Sequence, residues 1–474
     1  MVFVEKNNKL VISIISIGLL SFLGIVIETA LNITFPRLMR AFSISASTVQ
    51  WLTTGYMLVS TVLIPFGAFL RKRCRIISLF RIAVFSFLAG TICAGFAEDF
   101  LFLLLGRLLQ GVAAGIGLPL MFSLILEQAP RRSVGTFMGI GSLVIAFAPA
   151  VGPAYGGVIQ RAFSWHMLFI LLLPLIIITW LLGEFSIQQV APTKKVAFDL
   201  RGGISLAALL TATLLLIVNL TSGNGSLILQ ILLIVIIIIS CAAFLYFERN
   251  NPQRLLEITL LKNTQFISLL IPFFLLQLMS LSMSYLVPNV LELGFKQSTT
   301  VAGFLVLPAA VADAMVAAVA GLVYDKINRF LPILVGTGLI MLTFLAANLL
   351  VPSVITLVLT YTIFMVGLGF SYSNIMTLSL SRLSTAVTND GNAIYMTVQS
   401  YSGAVGIALS ASLISFAQKQ SADLEMGTKA GLNLNLLVLL CLAIIVLCFC
   451  LISVRQSVRE SVDGLQDTKE LSKK

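Results

Sequence analysis

Fourteen apolar segments of bilayer-spanning length run through this chain with little between them. They centre near residues 21, 59, 87, 113, 147, 174, 211, 237, 276, 311, 341, 367, 404 and 442. A spanning helix takes about 20 mostly apolar residues. Hydrocarbon offers no hydrogen-bond partners, so runs of this length satisfy their backbone only as helices. The chain therefore reads as an all-α membrane protein with 14 transmembrane helices. Composition supports this: charged residues make up 10% of 474, against about a quarter in a soluble domain. The first run, Leu10 to about Ile33, is too long for a signal-peptide core and reads as the first span.

The formal net charge of +11 suggests nucleic acid until its distribution is considered. With the N-terminus inside, one set of loops holds Arg71, Lys72, Arg73, Arg75, Arg131, Arg132, Lys194, Lys195, Arg249, Arg254, Lys326 and Arg329. The opposite set holds Arg37, Arg40, Arg161, Lys296, Lys419 and Lys429. The positive-inside rule accepts this orientation and rejects its inverse. Both termini are then cytoplasmic in a multi-pass protein of the cell inner (plasma) membrane, and the basic charge sets orientation without implying a nucleic-acid partner. Six scattered cysteines and one histidine, His166, give no metal-like spacing. Metal sites and histidine acid–base chemistry are not expected.

The links at 187–200 and 248–264 bracket two plain Leu/Ile-rich helices, with six helices before them and six after. The expected organisation is an N-terminal half over 1–186, central linkers with two additional helices over 187–264, a C-terminal half over 265–454 and a charged tail over 455–474. An internal repeat supports the division. Gly67 with Arg71-Lys72-Arg73 follows the second helix, and Gly321 with Asp325-Lys326 and Arg329 follows the second helix of the last six. Two related six-helix halves with a midplane site are a common plan of secondary transporters. No Walker loop, HExxH or GxSxG signature stands in a plausible context, so neither an enzyme nor ATP-driven transport by this chain is expected, and no cofactor is implied.

Inside the fifth apolar segment lies Gly152-Pro153-Ala154-Tyr155-Gly156-Gly157, preceded by Gly139 and Ala148. Small residues let membrane helices approach closely, and proline interrupts the hydrogen-bond ladder. The stretch predicts a helix that packs tightly and bends at one place around its proline. Simple tight packing is the alternative reading.

Several motifs together resemble the fourteen-helix drug:proton antiporters of the major facilitator superfamily. Gly106-Arg107, Gln110-Gly111, Gly115, Gly117 and Pro119 resemble that superfamily's fourth-helix motif. Gly139 through Gly157 resembles its fifth-helix antiporter motif, with Ala148 where glycine is usual. Asp199-Leu-Arg-Gly202, Ala302-Gly303 with Leu307-Pro308, and Gly391-Asn392-Ala393 follow in order, so the resemblance runs from about Glu28 to Gly406. It implies the major facilitator fold, two six-helix halves plus two extra central helices. It also implies a contact between the halves at Gly139, Gly152, Pro153, Gly156 and Gly157, with Gly111 in the conformational set. Two departures matter. Arg71 stands where the loop motif usually carries an acid, which puts a first-half latch in doubt, whereas Asp325, with Arg329, keeps the second-half copy. In the first helix Thr29, Asn32 and Pro36 align, but the acid is Glu28, one position late, which turns its side chain by about 100°.

The remaining chemistry falls to charges inside the membrane, each costing roughly 2.5–3.5 kcal/mol at a helix centre. Desolvation favours the neutral form of any carboxyl in such a site, so it can exchange protons. Asp313 and Glu28 are the candidates for proton coupling or attraction of a cationic substrate. The alternative is an acid permanently paired with arginine or bound to backbone. Arg107, by the motif match, modulates such carboxyls near a central cavity, or else ties together backbone carbonyls. Asn32, Met283, Tyr285 and Tyr372 are candidate cavity-lining residues.

These readings combine as a proton-coupled exporter of amphipathic, cationic drugs or dyes, working by alternating access as a monomer in the lipid bilayer. Its partners are a small-molecule substrate and protons. Two alternatives stand beside it: a dedicated transporter of a metabolite or lipid-linked compound on the same fold, and a non-transporting membrane sensor or scaffold.

Overall fold

The computed structural model describes residues 2–190, 192–193, 199–221, 226–251, 255–421 and 423–471. Side chains are described within these ranges except at 2–7, 32–33, 46–47, 149–150, 153, 160, 221, 299–300 and 457–471. No strand occurs among the described residues. The helices are α1 (Val2–Phe42), α2 (Ala46–Val49), α3 (Trp51–Leu63), α4 (Phe66–Arg73), α5 (Ile76–Gly95), α6 (Phe100–Gln128), α7 (Val134–Ala146), α8 (Ala148–Ala162), α9 (Met167–Ile170) and α10 (Leu173–Ser186). They continue as α11 (Leu200–Thr221), α12 (Leu227–Asn250), α13 (Thr264–Asn289), α14 (Thr299–Lys326), α15 (Leu331–Leu349), α16 (Val354–Ser381), α17 (Thr388–Gln420) and α18 (Leu424–Leu471).

Twelve helical stretches are long and apolar enough to cross a membrane, and the pair α3–α4, bent by 53°, makes a thirteenth. That bend follows from Pro65, which lacks an N–H and whose ring collides with the carbonyl one turn back. The segment centred near 147 is helical too, but it is divided into α7 and α8 at Phe147. The expected bend around Pro153 is thus corrected: α8 runs on through 153. The break lies before it, where Pro149 occupies the first turn of α8 and cannot donate to the preceding turn.

The helices form two groups. In the first, α6 packs on α5, α3 and α1, and α1 also packs on α8 and α10. In the second, α16 packs on α14, α15 and α13, while α13, α15 and α17 pack on α18. α11 and α12 pair with each other, and α11 reaches both α3 and α17. A small core of Phe69, Leu206, Leu210, Phe244, Leu255 and Leu256 attaches this pair, and the Tyr401 hydroxyl donates to the Leu210 carbonyl at 2.5 Å. α12 otherwise leaves its apolar side chains outside, with Ile228 81% and Ile239 63% exposed. In water that would be costly; against lipid it is the expected surface.

Close approach of backbones holds the first group together. A Cβ built on Gly90 of α5 would stand 2.5 Å from the Gly106 carbonyl oxygen of α6, and one on Gly106 would stand 2.7 Å from the Gly90 oxygen. Gly111 and Gly115 repeat the device against α3, their built Cβ atoms falling 2.7 Å from the Tyr56 oxygen and 2.8 Å from the Ser60 oxygen. Backbone atoms cannot swing aside. Gly90→Ala is therefore expected to destabilise by about 1–3 kcal/mol, read as a lowered thermal unfolding midpoint in detergent. Gly303→Ala, with nothing within 4 Å of its built Cβ, should leave the midpoint unchanged.

Candidate functional site

Two groups of polar side chains lie between the helices, and a third set ties the helix groups together at one end. In the first, Arg107 of α6 is completely enclosed. Its Nε donates to the Leu52 carbonyl at 3.1 Å and its Nη1 to Gln110 Oε1 at 2.7 Å. Gln110 in turn donates to Thr91 Oγ1 at 3.0 Å. The guanidinium carbon lies 4.2 Å from the centre of the Tyr56 ring, a cation–π contact. Arg107 Nη2 is buried without a hydrogen-bond partner. Glu28 of α1 is half-buried and lies within electrostatic reach of both Arg107 and Tyr56. Its position in the chain thus turns it toward α3 and α6, while Thr29 beside it bonds to the Ile25 carbonyl at 2.9 Å and packs against Gly152. Arg107 thus holds one backbone carbonyl and lies within electrostatic reach of an acid.

The second group surrounds Asp313 on α14. A Cβ built on Gly369 of α16 would stand 3.0 Å from Asp313 Oδ1 and 2.7 Å from its carbonyl oxygen. Glycine at 369 is what lets α16 close on this carboxyl. Tyr361 and Tyr372 of α16 feel its charge. Tyr361 shares a hydrogen bond with Ser284 at 3.2 Å, and Tyr372 stacks on Phe273 with centroids 4.3 Å apart. The Tyr372 hydroxyl is buried with no hydrogen-bond partner. Asp313 itself is half-buried, and among the described residues it has no ion pair or hydrogen bond. A permanent arginine partner, the structural alternative for this acid, is absent among those residues.

The third set closes one end of the bundle. Asp325, at the end of α14, accepts from the Gly135 amide at 3.0 Å and from the Thr136 amide and hydroxyl at 2.6 Å each. It sits where the N-terminus of α7 presents unpaired amides and positive dipole. Arg329 is not part of this contact; its charge reaches Tyr324 instead. Opposite, Lys72 of α4 donates to both carboxylate oxygens of Asp390 at 2.8 Å, in the first turn of α17. Arg71 pairs with Glu127, whose other oxygen accepts from Asn389 at 2.9 Å. Asn392 donates to the Pro119 carbonyl at 2.9 Å and to Ser123 at 3.0 Å. Among the described residues, Arg71 forms no contact of the kind Asp325 makes and pairs with Glu127 instead. The ion pair across the two helix groups has the charges exchanged, with the last turn of α4 supplying the cation Lys72 and the first turn of α17 the acid Asp390. Asp390 is 1% exposed and Lys72 only partly covered, so we expect a Lys72/Asp390 double-mutant cycle on the closed-to-open ratio to give about 1 kcal/mol of coupling. Exchanging the two residues should recover part of it.

The glycine stretch divides between two neighbours. A Cβ on Gly139 would stand 2.6 Å from the Ala317 carbonyl of α14, and Gly135 and Gly321 meet backbone to backbone. These make the contact between the helix groups. Gly152 and Gly156 instead face α1, with built Cβ atoms 2.9 Å from the Val26 oxygen and 2.8 Å from the Ala30 oxygen respectively. Their expected contact between the halves is thus corrected to a contact within the first group. Gly157 meets nothing within 4 Å, and the side chains of Pro153 and Asn32 lie outside those described.

Of the remaining candidates, Tyr372 stands beside Asp313 and Tyr285 is half-buried. Met283 is fully enclosed in helix packing, which corrects its expected place on a cavity wall. Tyr56, Tyr361 and Asp390 were not singled out by the sequence, and Gln110 and Lys72 entered it only as parts of motifs. Asp390 directly precedes the Gly391-Asn392-Ala393 match, and an acid in a first helical turn beside a basic loop was the available signal. Among the described residues, no cluster of three His, Cys, Asp or Glu side chains is placed to hold a metal.

Comparison with known proteins gives this arrangement a context. Residues 17–407 match the sequence profile of the Major Facilitator Superfamily. A relative from Listeria innocua serovar 6a, "Lincomycin resistance protein LmrB", is 30% identical over 409 residues, covering 86% of this chain and 87% of its own. A "Putative multidrug resistance protein MdtD" from an Enterobacter species is 27% identical, covering 83% of each chain. Among solved structures, the human organic anion transporter MFSD10 superposes with a TM-score of 0.65 at 11% identity, over 91% of this chain and 99% of its own.

Proposed function

The chain belongs to the Major Facilitator Superfamily, and from that premise we propose that it is a proton-coupled antiporter that exports amphipathic, cationic drugs or dyes by alternating access. The observation that carries the reading is Asp313: a half-buried carboxyl inside a spanning helix with no described partner. An acid held at that cost without a counter-ion is a functional group by default. It lies on α14, the helix that packs against α7 across the two helix groups. Protonation there can therefore bias the contact that has to open. Glu28 is compensated by Arg107 and serves as the second charged element, meeting cationic substrate or sensing the first proton.

In this reading 1–186 and 265–454 are the two moving halves and 187–264 carries the accessory pair. The termini and the Asp325 end are cytoplasmic in the inner membrane. The latches at Asp325 and Lys72–Asp390 are engaged on that side, so the state described is closed to the cytoplasm. A proton from outside loads Asp313 as substrate leaves; the halves then rock, and the proton departs inward. The LmrB and MdtD relatives favour drugs over a dedicated metabolite.

The test is reconstitution into vesicles with an imposed pH gradient, using ethidium and lincomycin as probes. Gradient-dependent movement that collapses with a protonophore is expected. Movement of either probe at the same rate with and without the gradient would refute proton coupling, and no movement of any cationic probe would refute the drug reading.

A further inference from the structure

The small apolar cluster that attaches the accessory pair sits at the latched end. It joins Phe69 of α4, Ala393 of α17, Leu206 and Leu210 of α11, and Leu255 and Leu256 of the segment returning from α12 to α13. Phe69 stands one turn before Lys72 and Ala393 one turn after Asp390, so the cluster brackets the ion pair between the two helix groups. Leu255 is 1% exposed and Leu256 6%. A partly exposed ion pair contributes little by itself, whereas removing several large apolar side chains from water contributes more. The accessory pair thus adds an apolar closure beside the polar one.

Its ties to the two helix groups differ in kind. Those to the second group are directional. The Tyr401 hydroxyl of α17 donates to the Leu210 carbonyl at 2.5 Å, and the Asp390 carboxyl also accepts from the Glu257 amide. A short helical turn, Ile258–Lys262, seats Leu260 in the main core. Asn263, directly after it, caps α13 by accepting from the Gln265 and Phe266 amides at 2.9 and 3.3 Å. Glu248, fully buried near the end of α12, accepts from the Leu256 amide at 3.0 Å and fixes the returning segment to its own helix. Contact with the first group runs through apolar surface, with Phe69 in the cluster and α11 packed on α3. Apolar faces can part without stranding a buried donor or acceptor, and hydrogen-bonded ones cannot.

We propose that the accessory pair and the segment 255–262 form a strap that travels with the second helix group and closes on α4, holding the latched end shut beside the Lys72–Asp390 pair. This assignment rests on the reading that the latched end opens during the cycle. What parts on opening is the face of Phe69, while the Tyr401 bond persists in both states.

The test is hydrogen–deuterium exchange of the full-length purified protein in neutral detergent, read at the Gly135 and Thr136 amides. Both donate to Asp325 while the end is latched. They lie in the first turn of α7, where no intrahelical acceptor protects them, and neither residue belongs to the cluster. Their exchange therefore follows the open population. Phe69→Ala removes a contact made only in the closed state and is expected to raise the exchange rate roughly tenfold, and Phe69→Leu roughly threefold. The milder variant keeps the test readable if Phe69→Ala folds poorly. Tyr401→Phe should lower the thermal unfolding midpoint and leave the exchange rate within about twofold of the parent. Lys72→Gln reports opening independently of the strap and should raise exchange about fivefold. Acceleration by Lys72→Gln with neither Phe69 variant accelerated would overturn the strap and leave the opening standing. No acceleration in any variant would overturn both. Acceleration by Tyr401→Phe as large as that by Phe69→Ala would overturn the assignment of the strap to the second group.

Discussion

Asp313→Asn is expected to reduce proton-driven efflux from vesicles by at least about tenfold while probe binding to the purified protein changes little. A gradient can bias a conformational cycle only through a group whose affinity for the proton differs between the two states. Asparagine keeps the size and polarity of the neutral acid and removes the titration. The surroundings favour a clean result. Gly369 leaves room at the carboxyl, and no described ion pair is broken by the change. Fold and expression should therefore survive. Binding of a cationic probe to the parent should weaken as pH falls and the carboxyl is neutralised; in the variant that dependence should be lost. Glu28→Gln is the comparison. Its carboxyl works beside Arg107, so its loss exposes an already half-satisfied guanidinium and should cost both binding and stability. Proton-driven transport by Asp313→Asn at more than half the parent rate would remove Asp313 from the coupling step.

The order of the helices was legible because hydrocarbon enforces it. Thirteen of the fourteen apolar runs became helices, or one bent helix pair, long enough to span, while the run near 147 became the shorter α7 and α8. Where the chain bends was less legible. Two prolines stand within five residues at 149 and 153, and only packing decides which interrupts the helix. The site was read in part for a similar reason. An intramembrane acid is conspicuous in sequence, so Glu28 and Asp313 stood out at once. Its neighbours are not conspicuous. Tyr56, Tyr361 and Gln110 are ordinary helix residues until tertiary contacts bring them to the charge. The exchanged latch escaped because charge was compared position by position against a family pattern. Lys72 and Asp390 are 318 residues apart, and the pairing exists only across the two helix groups. Met283 shows the opposite error, where an adaptable side chain suggested a cavity and the helix turned it into the core.

Gly139→Val is expected to leave the protein folded but to lower transport by about an order of magnitude or more, by opposing closure of the latched end. A Cβ at 139 would stand 2.6 Å from the Ala317 carbonyl and 3.4 Å from the Ala318 Cα, both backbone atoms of α14, and valine adds two methyl groups beyond it. The helices can relieve this only by separating. Overpacking of this kind costs about 1–3 kcal/mol, which shifts a two-state balance by roughly 5- to 150-fold. The cost falls only on the state in which α7 and α14 touch, so it appears as a change of populations instead of a loss of fold. Cys74, half-buried just after α4 at the latched end, supplies the readout. Its labelling by a polar maleimide, quantified at that residue by mass spectrometry, should accelerate in Gly139→Val along with the fall in transport. Gly157→Ala, in the same stretch but with nothing within 4 Å of its built Cβ, should match the parent in both measurements. If Gly139→Val transports normally and Cys74 labels at the parent rate, the α7–α14 contact is not the surface on which the two helix groups close.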